Sequence, residues 1–175
     1  MTPKIPRAGG ALLLLAPVLA LGLTASAAAD RLPAPVLINE SASLPRGLWR
    51  QAEPITPHRP LRRGDVVAVP QPPQVRPILA ALGVPADLPL LKRVAAVGGD
   101  RVCADGRGLV APFRAIHVTR RDGRGRPLPV WTGCRALGPD EVLLLGDSAA
   151  SFDGRHFGPI PRDRLLGRYR ELLTW

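Results

Sequence analysis

Hydrophobic positions fall into one long block near the start of the chain and a series of short ones after it. The long block runs from Gly10 to Ala28, and its core, Ala11 to Leu23, is almost wholly Ala, Leu, Val and Gly. The later apolar runs are short and bounded by Pro, Gly and charged residues, which is the pattern of strands joined by turns. Val36-Leu37-Ile38, Val66–Val69, Leu109–Val118, Leu128–Trp131 and Glu141–Leu145 read as strands. Leu88–Val97, an apolar run that carries Lys92 and Arg93, reads as a buried strand. Ile78 to Leu82 suits a short helix stopped by Gly83.

Between these runs lie breakers. Arg63-Gly64-Asp65, Gly98-Gly99-Asp100 and Gly146-Asp147 are turn sequences, and residues 53–60 and 70–77 are proline-rich loops. Ser43 to Arg50 reads as an extended turn, because the residue before Pro45 is pushed out of the helical region. Arg120 to Arg126 forms a basic tip, most simply a solvated hairpin turn, with substrate or lipid contact as the second reading. No internal repeat is present. The fold class is therefore mostly β with short helices, preceded by one N-terminal apolar helix.

Composition sharpens this picture. The 175 residues include 21 Pro and 18 Gly but few aromatics, which disfavours a helical bundle. Lys4 and Arg7 precede the apolar block, as in an export signal. Two fates are open to residues 1–29. Ala25-Ser26-Ala27 or Ser26-Ala27-Ala28 offers a signal-peptide cleavage site, or the segment stays as a signal-anchor, the reading favoured here. Either way residues 30–175 form one domain outside the cytoplasm.

The net charge of +10 comes from arginine: 22 Arg against only Lys4 and Lys92. A GC-rich genome produces such a bias without any nucleic-acid function, and a basic surface also suits anionic lipid headgroups. No zinc-finger spacing, RNA-binding aromatic pattern or basic heptad is present, so a nucleic-acid partner is not expected. His58, His117 and His156 lack metal-ligand spacing, and no metal or organic cofactor is implied. Two cysteines, Cys103 and Cys134, read as one disulfide in an exported domain, against the alternative of two unrelated buried thiols.

Two residues could carry chemistry. Lys92 is the sole lysine after the apolar block and sits among Leu88, Leu90, Leu91, Val94, Ala95 and Ala96. Burial disfavours an ammonium, and a lysine, unlike an arginine, can become neutral and act as a base. Its alternative is a stem laid on the core with the head in water. Ser43 stands before Leu44-Pro45 on a stiff turn, and Gly47 permits close approach by a peptide. A serine is a weak nucleophile that needs an adjacent base.

Together the segments resemble the type I signal peptidase superfamily, with its Ser/Lys dyad, and most closely the TraF-type conjugative-transfer peptidases. Asn39-Glu40-Ser41-Ala42-Ser43-Leu44-Pro45-Arg46-Gly47-Leu48-Trp49 resembles the nucleophile block, and Arg63-Gly64-Asp65-Val66-Val67 the strand after it. Leu91-Lys92-Arg93-Val94 with Gly99-Asp100 resembles the general-base block. Gly146-Asp147-Ser148 with Ser151-Phe152-Asp153-Gly154-Arg155-His156-Phe157-Gly158-Pro159 resembles the last block. The Cys103/Cys134 pair and Trp131-Thr132-Gly133-Cys134-Arg135 also look TraF-like.

The resemblance implies Ser43 as nucleophile and Lys92 as general base, then general acid. It implies Ser41 as a hydroxyl that helps the Ser43 N–H hold the oxyanion, and Ser151 as a serine that orients the lysine amine. Asp153 and Arg155 would form an ion pair bracing the site. It further implies an inner-membrane endopeptidase with its catalytic domain facing the periplasm. Its partners would be the membrane and exported precursors, most specifically a conjugative pilin, with cleavage alone or cleavage with cyclisation as the two outcomes. Departures are Gly98-Gly99-Asp100 where Pro-Gly-Asp is usual, Asp153-Gly154-Arg155 where Asp-Ser-Arg is common, and a shorter Gly146-to-Ser151 spacing. None touches the dyad. The competing reading is a non-enzymatic, disulfide-stapled β domain that binds a component of a secretion apparatus.

Overall fold

The computed structural model describes residues 35–112 and 114–175. The expected N-terminal apolar segment lies outside them. Among the described residues no helix is long and apolar enough to cross a membrane.

Among the described residues eleven strands form two antiparallel sheets. The larger has seven strands, β1 (Val36–Asn39), β2 (Gly47–Glu53), β3 (Val66–Val69), β4 (Leu90–Ala96), β9 (Glu141–Leu145), β10 (Ile160–Pro161) and β11 (Gly167–Thr174), in the order β1-β2-β11-β3-β4-β9-β10. The smaller comprises β5 (Arg101–Ala104), β6 (Gly108–Ala111), β7 (Arg114–His117) and β8 (Gly133–Ala136), in the order β7-β6-β5-β8. The described residues also hold two short α-helices, α1 (Arg76–Ala81) and α2 (Gly154–Phe157), and a 3-10 turn at Arg162–Arg164.

β9 shows why an apolar run folds as a central strand. Val142 and Leu144 point into a cluster with Val67, Val69 and Val94. Leu143 and Leu145 point the other way, into a cluster with Val102, Leu109 and Leu137 that ties the small sheet to the large one. With both faces covered, the sequence cannot alternate. A register shift in β4 between Val94 and Ala96 lets these two residues join opposite clusters, each beside the β9 residue it pairs with. Lys92, two residues before Val94 and paired with Val67, therefore projects on the Val94 side, and Arg93 on the other.

Several expectations need correction. The turn at Ser43 ends at Arg46, and Gly47 onward is strand β2 rather than extended turn. Leu109–Val118 is two strands, β6 and β7, joined by a turn. Leu128–Trp131 is not a strand: Pro127 and Pro129 bring no N–H to a ladder, and Trp131 N–H bonds instead to Arg155 C=O at 2.9 Å. β5, β8 and β11 lacked a readable signal. β8 is exposed throughout, and β11 (GRYRELLT) holds buried Arg168 against Glu53 and Asp65. The Cys103–Cys134 disulfide joins directly paired positions of β5 and β8.

Candidate active site

Four segments meet at a groove of about 770 Å³ lined by Ser41, Ser43, Lys92 and Ser151, with apolar walls from Leu37, Leu79, Leu82, Leu90 and Phe152. Ser43 lies in the turn between β1 and β2. Leu44 anchors that turn by packing with Trp49 and Leu91, and Leu91 is the residue before Lys92 in β4. This packing carries the serine to the lysine strand.

Asn39, at the end of β1, holds the same turn from inside. Its side chain is buried, and its Nδ2 donates to the carbonyls of Ser41 (3.0 Å), Leu44 (2.9 Å) and Pro45 (3.0 Å). Its Oδ1 accepts from Ser41 Oγ at 2.8 Å. Ser41 Oγ in turn lies 2.6 Å from Ser43 Oγ. Residue type alone gives Asn39 no catalytic role. The available signal was an Asn opening a turn, a residue that bonds nearby main chain.

Gly47 also departs from expectation. A Cβ there would meet the Leu173 carbonyl oxygen and come within 2.8 Å of Thr174 Cα. The peptide that needs this glycine is the chain's own β11.

Lys92 is only 3% exposed. Burial pushes its ammonium down to about 8, with Asp153 pulling back up, Arg155 adding to the depression and Asp147 again opposing it. About a tenth of the amine is then neutral at pH 7. Its neighbour Arg93 grips Asp147 on the other face, Nε to Oδ1 at 3.1 Å and one terminal nitrogen to Oδ2 at 3.0 Å. One strand thus presents the lysine and holds the turn after Gly146.

That turn has a buried floor. Asp153 and Arg155 are essentially inaccessible to solvent and form a bidentate pair, with Nε to Oδ1 at 2.8 Å and the second contact at 2.6 Å. Asp153 also accepts the N–H of Gly146 at 2.8 Å. Arg155 donates to the carbonyls of Ser148 (2.7 Å) and Ala149 (3.0 Å). A buried ion pair keeps its charges only when its remaining hydrogen-bonding groups are satisfied in this way. Ser151, on this loop, has a buried Oγ with no hydrogen-bond partner among the described residues. His156 bonds through Nδ1 to Pro129 C=O at 2.9 Å and stacks obliquely near Phe152.

A neutralisable lysine and a serine hydroxyl line one apolar-walled groove with further hydroxyls beside them, the groups that hydrolytic or acyl-transfer chemistry with an amine base would use. Residues 11–175 match the family described as signal peptidase, peptidase S26, and the chain belongs to that family. It is 34% identical over 154 residues to the plasmid transfer protein TraF of Escherichia coli, spanning 79% of this chain and 82% of that protein. It is 35% identical over 150 residues to a probable conjugal transfer protein TraF of Sinorhizobium fredii (79% and 77%), and 34% over 152 residues to the conjugal transfer protein TraF of Agrobacterium fabrum (79% and 82%). A crystal structure of a signal peptidase I from Enterococcus faecalis aligns with a TM-score of 0.36 at 16% identity, over 63% of this chain and 97% of that one.

Proposed function

We propose that this protein is a membrane-bound serine endopeptidase that uses Ser43 and Lys92 to process exported precursors, with a conjugative pilin as the preferred substrate class. The observation that carries the reading is the shared groove: Ser43 and a buried lysine with its pKa near 8 line it together. Membership of the signal peptidase family and likeness to TraF proteins support the substrate class and a place at the inner membrane, facing the periplasm.

The chemistry follows from the groups present. Neutral Lys92 takes the Ser43 proton as Oγ bonds to the scissile carbonyl carbon, and the carbonyl electrons move to oxygen. The Ser43 N–H and the Ser41 hydroxyl are the donors nearest that oxyanion, a role in which one donor is worth about 3–4 kcal/mol. The C–N bond then breaks, and Lys92 returns its proton to the leaving amine. Ser151, whose hydroxyl has no other partner among the described residues, is the group available to steady the amine as it changes charge. Water attacking the acyl-enzyme gives cleavage, and a substrate amine gives a cyclic product.

Substrate geometry also has support. β9 pairs with β4 only from Arg93 onward, so Leu90 to Lys92 have no strand neighbour on that side among the described residues. An extended peptide can add there by main-chain hydrogen bonds, with small side chains facing the apolar walls.

The test is incubation of the full-length protein, in detergent or vesicles, with a pilin precursor, followed by mass measurement. Loss of a peptide indicates cleavage, and a further loss of one water relative to the linear product indicates ring closure. Lys92→Arg is expected to abolish both while the fold persists. Unchanged processing by that variant would remove Lys92 from the role of base, and no processing by the wild-type protein would favour the binding-domain reading.

A further inference from the structure

We propose that Asn39 is a positioning residue that aims the Ser43 hydroxyl, acting through Ser41. The inference deepens the reading of Ser43 as nucleophile and rests on it.

Proton accounting carries it. An amide oxygen can only accept and an amide nitrogen can only donate, so their places are fixed by their neighbours. Three carbonyl oxygens surround Asn39 Nδ2, which places Oδ1 toward Ser41. A serine hydroxyl has one proton. Ser41 spends it on Asn39 Oδ1 at 2.8 Å, so the 2.6 Å contact between the two serines must be Ser43 donating to Ser41. The resting nucleophile therefore directs its proton at Ser41, and one lone pair on Ser41 is held ready by Asn39.

Two consequences follow. Ser41 serves an oxyanion by turning its proton away from Asn39, and the placement of the two oxygens outweighs that cost, so loss of Asn39 lowers kcat. Asn39 Oδ1 also holds the Ser41 oxygen in contact with that of Ser43, while its two N–H groups, shared among three carbonyls, keep the amide oriented for that bond. Asn39 itself touches neither serine's reacting partner, and its effect passes through the Ser41 hydroxyl.

The experiment is a mutant cycle in the full-length protein with a precursor peptide as substrate. Wild type and Ser43→Ala come first: activity that survives Ser43→Ala overturns the nucleophile reading, and with it this one. With that established, Asn39→Ala is expected to lower kcat about tenfold or more while KM moves less than about twofold. Ser41→Ala is expected to lower kcat as well, and adding Asn39→Ala to it should cost less than about a further twofold. The pH midpoint of activity should stay where Lys92 sets it, which a general collapse of the site would not allow. Wild-type kcat in Asn39→Ala, or fully additive losses, overturns the proposal. If Asn39→Ala does not fold, Asn39→Asp keeps an acceptor for Ser41. It should hold kcat within about threefold of wild type despite a lower Tm, and a larger loss in the folded variant counts against the role.

Discussion

Asp147 donates its main-chain N–H to the carbonyl of Ser43 at 2.7 Å, so the turn bearing the nucleophile is fastened to the turn after Gly146. A Cβ at Gly146 would collide with Ser151 Oγ, lie 2.6 Å from Ser151 Cβ and come within 3.0 Å of Ser43 Cβ. Gly146 is thus the close-approach point between the two serines. Gly146→Ala is expected to push them apart. A displacement near 1 Å costs about a hundredfold in rate, and the overpacking costs about 1–3 kcal/mol. Steady-state kinetics with a denaturant melt checks both, and wild-type kcat would show that the serines need not be held so closely.

The pH dependence is set by Lys92. Its folded pKa of about 8 lies below the ordinary value of 10.5, because burial penalises the charge. The reactive form is neutral, so kcat/KM should rise with pH through a midpoint near 8 and then level off. A profile already flat from pH 6 to 9 would remove Lys92 from the role of base.

Much of this was legible from residue types alone. Lys92 stood out as the one lysine in an apolar run of an arginine-rich domain, and β3 and β9 announced themselves as unbroken apolar segments. Ser43 lay in a turn whose start was readable from Pro45. Asn39 was legible only as an Asn opening a turn, because the bond from Ser41 to its Oδ1 depends on how the turn folds and not on a residue pattern. β11 was equally hidden. It carries charges inside the sheet through Arg168, and the glycine that admits it, Gly47, looked like room for a substrate.

The same lysine should cost stability. A folded pKa below the unfolded one means that the folded state resists protonation. The penalty is full below pH 8 and is relieved as pH rises toward 10.5. Lys92→Met, similar in volume and uncharged, is expected to be inactive yet about 1–3 kcal/mol more stable at pH 7. The gain should shrink by pH 10. Denaturant melts at the two pH values test this, and a variant less stable than wild type at pH 7 contradicts it.

Removing one partner of the Asp153–Arg155 pair should be far worse. Arg155→Met leaves a buried carboxylate without its cation and frees the carbonyls of Ser148 and Ala149, for a loss of about 3–5 kcal/mol. Replacing both residues, Asp153→Leu with Arg155→Met, should recover part of that loss. It should not recover all, because Gly146 N–H loses its acceptor. If the double variant is as unstable as the sum of the two singles, the pair is not acting as a unit.

The disulfide separates stability from chemistry. Cys103 and Cys134 sit in the small sheet, and no residue of β5 to β8 lines the groove. Their separation of 31 residues suggests about 3–4 kcal/mol from restricting the unfolded chain. The small sheet packs on Leu143 and Leu145, and Leu145 precedes Gly146, so the site keeps its shape as long as that packing survives, with or without the bridge. Cys103→Ser with Cys134→Ser should therefore lower Tm while kcat, measured well below the new Tm, stays near wild type. A fall in kcat without a fall in Tm would mean that the bridge shapes the groove rather than supporting the sheet beneath it.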